Sequence, residues 1–252
     1  MFSRVAGVRL GYREAGAGPP IVLLHGWGGE SRSFHPLQQA LAPSFRTLAP
    51  DLPGFGRSAL PPTTWGVDDY ADHLATWLDD LGIERTSLIG HSFGGRVAIV
   101  LAATRPDRVD KLVLTASAGI LPRRTLGYHL KVRSARLARK VLGTPPIASV
   151  RPALERRLYD ALGATDYANA GPLRPTFVRV VNQDLRPLLP RIVAPTLLVW
   201  GEKDDSTPLA DGKLMAREVP NSRLIVYRGA GHFAYLEQGE RFAADVREFL
   251  AA

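Results

Sequence analysis

Short apolar runs alternate along the chain with longer segments whose apolar positions repeat at helical spacing. Continuous apolar runs of this length are typical of strands that are buried on both faces of a parallel sheet. The candidate strands lie at residues 21–24, 45–49, 86–89, 111–115, 196–200 and 222–227. The segments with helical patterning include residues 67–81, 94–104 and 241–250. This order of elements predicts an α/β fold with a mostly parallel central sheet flanked by helices.

The segment from residue 120 to residue 191 interrupts this alternation. It contains several prolines and glycines and shows no convincing strand pattern. The apolar residues that recur at helical spacing are Leu126, Leu130, Leu137 and Val141. The basic residues among the remaining positions are Lys131, Arg133, Arg136, Arg139 and Lys140. Such a pattern favours helices with one apolar face. We therefore predict a single domain over residues 1–252, in which residues 120–191 form a helical cap inserted between two strands.

The positive charge of the chain is concentrated in the same segment. The whole chain has a formal net charge of +8, from 32 Lys and Arg against 24 Asp and Glu. Residues 120–194 contain 14 basic and 4 acidic residues, a net charge of +10. The rest of the chain contains 18 basic and 20 acidic residues, a net charge of −2. A basic face of this kind would suit an anionic membrane surface, although a merely solvated helix face is the simpler alternative. No nucleic-acid-reading motif is present, so nucleic acid is not an expected partner.

Composition and the N-terminal sequence bear on where the protein works. The chain has no cysteine, which excludes disulfide bonds and thiolate metal sites. The first residues include three arginines and no apolar stretch of the length found in signal peptides. No apolar run approaches the roughly 18 residues that span a bilayer. A cytoplasmic location is therefore expected.

A Gly-His-Ser-Phe-Gly-Gly sequence at residues 90–95 stands between a predicted strand and a predicted helix. A serine on such a strand-to-helix turn is held in a strained conformation that exposes its hydroxyl, and flanking glycines relieve the crowding. Ser92 is therefore the candidate nucleophile. The N–H of Phe93, at the start of the helix, is a candidate donor to an oxyanion.

A second oxyanion donor is expected from the loop after the strand at 21–24. Residues 25–28 of that loop read His-Gly-Trp-Gly. The loop after this strand commonly supplies the second N–H, so Trp27 is the candidate donor. We expect His25 to hold the loop through hydrogen bonds and not to take part in the chemistry.

Serine needs a base that accepts its proton, and His232 is the best placed of the six histidines. It lies in the sequence Gly-Ala-Gly-His-Phe at 229–233, directly after the last predicted strand, and so at the same sheet edge as Ser92. An imidazole titrates near neutrality and can accept and return a proton.

A carboxylate must in turn orient the imidazole ring and stabilise its cation. Residues 201–205 read Gly-Glu-Lys-Asp-Asp and follow the strand at 196–200. We assign Asp204, with Asp205 as the alternative. The order Ser, Asp, His along the chain matches the order expected for this architecture and differs from the orders on the chymotrypsin and subtilisin folds.

The surroundings of these residues indicate a pocket and no cofactor. Several aromatic residues lie near them in the sequence: Trp27, Phe93, Phe233 and Tyr235. These residues suggest either an apolar acyl pocket or ordinary core packing. The residues that we assign as candidates for the substrate pocket are Gly26, His91 and Phe233. Neither a metal-ligand cluster nor a dinucleotide-binding glycine fingerprint is present, so no metal or organic cofactor is expected. A non-catalytic protein that uses the pocket as a receptor is the alternative. Such a protein would have no need for Ser, Asp and His at three strand ends.

Taken together, these motifs resemble the α/β-hydrolase superfamily, in the small cap-bearing branch that contains carboxylesterases, cofactor-free haloperoxidases and carbon–carbon bond hydrolases. The resemblance covers nearly the whole chain and rests on residues 25–28, 51–58, 90–95, 201–204 and 231–232. It implies the α/β-hydrolase fold. In this branch the acid is the Asp of a G-x-x-D stretch, which favours Asp204 over Asp205. The serine at position 92 separates the chain from the dehalogenases and epoxide hydrolases, whose nucleophile is an aspartate.

Two groups within that branch imply different substrates. Pimeloyl-carrier-protein methyl esterases are similar at residues 25–28 and 51–58, and their basic cap meets an acidic carrier protein, which would account for the +10. Carbon–carbon hydrolases of the phenyl-hexadienoate type are similar around Ser92 and His232, but typically carry Met where this chain has Phe93. The expected activity is hydrolysis of a small-molecule carboxylic ester with a small to medium apolar acyl group, through an acyl-enzyme. Carbon–carbon bond hydrolysis, or hydrolysis of an ester on an acyl carrier protein, are the alternatives.

Overall fold

A computed structural model describes residues 1–121 and 165–252 of the chain. Within these residues eight strands form one sheet in the order β1-β2-β4-β3-β5-β6-β7-β8. The strands are β1 (Phe2–Val5), β2 (Val8–Ala15), β3 (Pro20–Leu24), β4 (Arg46–Pro50), β5 (Thr86–His91), β6 (Val109–Thr115), β7 (Thr196–Gly201) and β8 (Ser222–Tyr227). Strands β3 to β8 run parallel to one another, and β2 pairs antiparallel with both β1 and β4. The predicted mostly parallel sheet is confirmed.

Helices flank this sheet. They are α1 (His35–Leu41), α2 (Val67–Asp80), α3 (Phe93–Thr104), α4 (Thr165–Asn169), α5 (Arg174–Val181), α6 (Leu209–Glu218), α7 (Ala234–Glu237) and α8 (Gly239–Ala251). Short 3-10 turns lie at Ser31–Phe34, Pro106–Arg108, Gly171–Leu173 and Arg186–Arg191. The six predicted strands and the three predicted helices end within two residues of the observed elements.

The core has two layers, one on each face of the sheet. Successive residues of a strand point to opposite faces, so that Val22 and Leu24 join one layer and Leu23 joins the other. Helices α2 and α3 cover the first face, and α1 and α8 cover the second. Because both faces are covered, the central strands contain continuous apolar runs, such as residues 21–24 and 112–114, and these runs made them recognisable in the sequence.

The hairpin of β1 and β2 was not among the predicted strands. It lies at the edge of the sheet, and two of the four residues of β1 are exposed. Polar positions such as Arg4 and Arg9 interrupt the apolar pattern, and Gly11 lies in the middle of β2. A half-exposed edge hairpin therefore has no continuous apolar run by which it could be identified.

Residues 165–191 precede β7 and form α4, α5 and two 3-10 turns, with residues 182–185 in a non-helical connection. Val180 and Leu189 are buried against the main core, and the Thr176 hydroxyl accepts a hydrogen bond from the Trp65 N–H at 3.2 Å. The helix predicted from the apolar positions between 126 and 141 lies outside the described residues, so the cap over 120–191 stays a prediction. In the described ranges no helix is both long and apolar enough to cross a membrane.

Candidate active site

Ser92 occupies a strained turn between β5 and α3. Its φ is +50° and its ψ is −110°, a backbone conformation that costs a residue with a side chain on the order of 1–3 kcal/mol. A Cβ at Gly90 would lie 2.7 Å from the Gly94 carbonyl oxygen, and a Cβ at Gly94 would overlap the carbonyl of Leu24. The two glycines therefore allow α3 to pack directly against the strands, and this packing holds the serine in its turn.

A buried carboxylate holds the His232 ring. Nδ1 of His232 lies 3.0 Å from Oδ2 and 3.1 Å from Oδ1 of Asp204, whose side chain is fully buried. Oδ1 also accepts the backbone N–H groups of Ser206 and Thr207, both at 2.9 Å, and Oδ2 accepts the Thr207 hydroxyl at 2.8 Å. Burial alone would raise the pKa of Asp204, but the bonds from His232 and Thr207 outweigh it and lower that pKa. Asp204 is therefore an ionised partner for the imidazole ring.

The alternative acid, Asp205, does not occupy this position. It is exposed, and the carboxylate that contacts His232 belongs to Asp204. The loop that begins after β7 turns back through the two bonds from 206 and 207 to Asp204 Oδ1, which directs the first of the two aspartates inward.

Ser92 and His232 line one cavity of about 600 Å³ at the carboxyl edge of the parallel strands. The loops that follow β3, β5, β7 and β8 meet at this edge, which is where ligands bind in open α/β sheets. Asp204 stands behind His232, in the arrangement expected of a carboxylate that orients a base.

The N–H groups of Trp27 and Phe93 are both available at the cavity. Trp27 lies in the loop after β3, and Phe93 is the first residue of α3, where the N–H has no partner within the helix. Both residues line the cavity with Ser92. Among the described residues no protein acceptor takes either N–H. The two predicted oxyanion donors are thus free to bind a ligand oxygen.

His25 has the structural role predicted for it. It is fully buried, its Nδ1 lies 2.8 Å from the Gly26 carbonyl oxygen, and its Nε2 accepts the Leu52 N–H at 2.9 Å. These two bonds require a neutral ring that carries its proton on Nδ1. Burial lowers its pKa to about 4, which agrees with a ring that stays neutral. His25 thereby fixes the start of the Trp27 loop.

Asp51 holds the same region from the other side. Its carboxylate accepts a hydrogen bond from the Ser31 N–H at 2.7 Å. It also accepts one from the backbone N–H of Arg57 at 3.1 Å and one from the Nε–H of Arg57 at 3.2 Å. Burial would raise its pKa, and these bonds together lower it. The Ser58 hydroxyl donates to the Asp51 carbonyl oxygen and accepts the Gly11 N–H at 2.9 Å. The 51–58 stretch is therefore a cross-linked loop that supports the cavity wall.

The pocket candidates differ in how far they reach the cavity. His91 is 2% exposed, and its Nε2 lies 3.1 Å from the His232 carbonyl oxygen. Burial lowers its pKa to about 3, helped by nearby His232. Gly26 provides space for the His91 ring, because a Cβ there would lie 2.8 Å from its Nδ1. Phe233 lines the cavity and is half exposed. Gly26 thus leaves room for the His91 ring, which packs beside the His232 ring with 4.8 Å between the ring centroids.

The aromatic cluster combines core packing with a cavity wall. Trp27 packs edge-to-face on Phe93 at 5.3 Å and on Phe177 at 4.9 Å between ring centroids. Phe93 and Tyr235 are almost fully buried, whereas Trp27 is partly exposed. Phe177, which the sequence did not point out, comes from α5 and closes the wall above Trp27. No local signal marks a single phenylalanine on a short helix as part of a pocket.

Comparison with known proteins places this chain in a family. The sequence model of the alpha/beta hydrolase family matches residues 21–245. The 2-hydroxymuconate semialdehyde hydrolase of Pseudomonas sp. (strain CF600) is 30% identical over 98% of this chain and 92% of that protein.

Two solved structures are similar in fold over the whole chain. The enol-lactonase from Burkholderia xenovorans LB400 is 25% identical with a TM-score of 0.78 and full coverage of both chains. A thermophilic esterase from Thermogutta terrifontis is 27% identical with a TM-score of 0.77, over 100% of this chain and 97% of that one. With the matched family model and the observed sheet, the chain belongs to the alpha/beta hydrolase family and is a hydrolase by that membership.

Proposed function

We propose that this protein hydrolyses carboxylic esters through an acyl-enzyme on Ser92. In this proposal His232 is the general base and Asp204 is the acid that orients it. The N–H groups of Trp27 and Phe93 form the oxyanion hole. The observation that carries the proposal is the His232 ring held by a buried carboxylate, in the same cavity as a serine on a strained strand-to-helix turn.

The chemistry follows from the position of each group. His232 accepts the hydroxyl proton as Ser92 Oγ bonds to the ester carbonyl carbon, and the carbonyl oxygen becomes an oxyanion. The tetrahedral intermediate collapses, the leaving alcohol takes the proton from His232, and the acyl group stays on Ser92. Water then attacks the acyl-enzyme with the same base and releases the acid. Each oxyanion donor is expected to contribute about 3 kcal/mol to transition-state binding.

The cavity supports a small to medium apolar acyl group. Its wall includes Trp27, Phe177 and Val180, which offer apolar contact, and its volume of about 600 Å³ lies in the usual range for small-molecule sites. An enol-lactonase and an esterase among the similar structures both act on ester bonds by their names, which agrees with this choice.

Carbon–carbon bond hydrolysis is the second candidate, and the relative named as a 2-hydroxymuconate semialdehyde hydrolase favours it. The same serine can attack an aldehyde or ketone carbonyl, but the carbon–carbon bond that then breaks leaves a carbanion, and that carbon must be protonated. The phenylalanine at position 93 stands where such enzymes typically have Met, which is the feature of this chain that favours esters.

The test is turnover of two substrate classes by one preparation. We expect p-nitrophenyl acetate, butyrate and octanoate to be hydrolysed with an acyl-enzyme burst, and the Ser92→Ala variant to lose nearly all turnover. A ring-fission dienoate such as 2-hydroxymuconate semialdehyde should be cleaved slowly or not at all. Efficient cleavage of the dienoate with negligible ester hydrolysis would replace the first candidate by the second.

The basic segment 120–194 supports a further proposal, that an acidic carrier protein or an anionic membrane surface meets it. Four of its 14 basic residues lie in the described part of the chain. Two of these form ion pairs, Arg179 with Asp69 and Arg186 with Glu218. A sedimentation assay with anionic and neutral liposomes at low and high salt, repeated with acyl carrier protein as competitor, would separate the two partners.

A further inference from the structure

A buried arginine lines the catalytic cavity one helical turn after Ser92. Arg96 lies on α3, and only 5% of its surface is exposed, yet it forms part of the cavity wall. Its Nη1 donates to the carbonyl oxygen of Gln183 at 2.8 Å. A guanidinium has five N–H donors. In the described ranges no carboxylate pairs with it, so most of its hydrogen-bonding capacity has no protein partner.

No residue in the described ranges forms an ion pair with this cation. Burial lowers the pKa of Arg96 to about 10, so the side chain is still charged at neutral pH, and Asp184 favours the charge without forming an ion pair. The two aspartates that line the cavity, Asp166 and Asp211, do not act on Arg96. The electrostatic partner of Asp166 is His232, and that of Asp211 is Asp204. A buried guanidinium without a carboxylate is costly unless something else supplies the negative charge.

The wall of a substrate cavity is the place where a ligand can supply that charge. We propose that Arg96 binds a carboxylate of the substrate, so that the ester turned over by this enzyme carries a carboxylate on its acyl or its leaving group. This inference rests on the proposed function. A guanidinium pairs with a carboxylate in planar, bidentate geometry. A monoanion fits better than a phosphate dianion, because Asp166 and Asp211 line the same cavity.

The first experiment compares matched esters with and without a carboxylate. One pair is mono-p-nitrophenyl glutarate and p-nitrophenyl pentanoate, and the other is 4-acetoxybenzoate and 4-methylphenyl acetate. For at least one pair, Arg96→Met should lower kcat/KM for the carboxylate ester roughly tenfold to a hundredfold more than for its neutral partner. Arg96→Lys should restore part of that ratio, since it keeps the charge but loses the bidentate geometry.

Arg105→Met is the matched control. Arg105 follows the last residue of the same helix and pairs on the surface with Asp72, so its loss removes one positive charge far from the cavity. The control should leave both ratios unchanged. If Arg96→Met lowers kcat/KM equally for the charged and neutral members of both pairs, Arg96 only supports the 183 carbonyl and the proposal is wrong.

A binding measurement separates this proposal from the proposed function. Monomethyl glutarate is titrated calorimetrically into Ser92→Ala, and then into the same variant carrying Arg96→Met or Arg96→Lys. We expect Kd to rise at least tenfold with Met and less with Lys. If the wild-type enzyme hydrolyses no ester but this difference is seen, the carboxylate site stands and the ester reaction does not. Equal affinity in all three proteins overturns the carboxylate site.

Discussion

Replacing Asp204 by Asn should disable the base by changing which ring nitrogen of His232 carries the proton. Oδ1 of Asp204 accepts two backbone N–H groups, from Ser206 and Thr207, so the carbonyl oxygen of an Asn must take that place. The amide nitrogen then stands at the Oδ2 position, 3.0 Å from Nδ1 of His232. It donates to Nδ1, and the ring proton moves to Nε2, which is the nitrogen that has to accept the Ser92 proton.

The expected loss is large because the protein fold itself enforces the wrong tautomer. The same change in a serine-protease triad lowers kcat about 10⁴-fold, which is about 5 kcal/mol of transition-state stabilisation. We predict a fall in kcat for p-nitrophenyl butyrate of that order, with little change in KM. The assay is steady-state hydrolysis at pH 7 to 9, with circular dichroism to show that the variant is folded.

The exposed neighbour Asp205 provides the control. Asp205→Asn removes the same charge one residue away, and its activity should stay within about twofold of wild type, as for a surface change. The reasoning is refuted if Asp204→Asn keeps more than a tenth of wild-type kcat, or if both variants lose activity to the same extent.

Three further predictions concern the elbow, a buried histidine and the pocket wall. Gly94→Ala should lower the melting temperature strongly, because the added Cβ would overlap the Leu24 carbonyl. Gly239→Ala is the control and should leave the melting temperature nearly unchanged, because its Cβ would meet no atom within 4 Å. Equal melting temperatures of the two variants would contradict this reasoning. Burial lowers the pKa of His73 from 6.5 to about 4, and within the described ranges its Nε2 has no hydrogen-bond partner, so the unfolded chain gains a proton first as pH falls. The contribution of His73 to the free energy of unfolding, complete above pH 6.5, should therefore fall by up to about 1.4 kcal/mol per pH unit towards pH 4, in addition to the losses from the buried rings of His25 and His91. The free energy of unfolding from urea titrations should thus fall more steeply with decreasing pH in the wild type than in His73→Leu, and equal slopes would refute this. Phe177→Ala should raise KM for p-nitrophenyl octanoate more than for the acetate, and equal changes would remove Phe177 from the acyl wall.

Residues at strand ends could be recognised from the sequence because a buried parallel strand leaves a continuous apolar run. Ser92, Asp204 and His232 each follow such a run, and the parallel pairing of β5, β6, β7 and β8 is what brings them to one edge. The β1–β2 hairpin could not be recognised, since its edge position leaves only a broken pattern.

Contacts between distant segments were also beyond the sequence. Thr207 supports Asp204 through two bonds, yet a threonine three residues after an aspartate is common in any turn. Arg96 looks like an ordinary surface position on a helix until its burial beside the cavity is seen. Such roles depend on which elements pack together, which a local pattern does not encode.

The most direct test of the account is covalent labelling of Ser92. Intact-protein mass spectrometry after incubation with a fluorophosphonate probe compares the wild type with Ser92→Ala. The account predicts one phosphonyl adduct on the wild type, located to Ser92 by peptide mapping, and none on the variant. A folded wild-type protein that takes up no label, or equal labelling of the variant, would contradict an activated serine at this site.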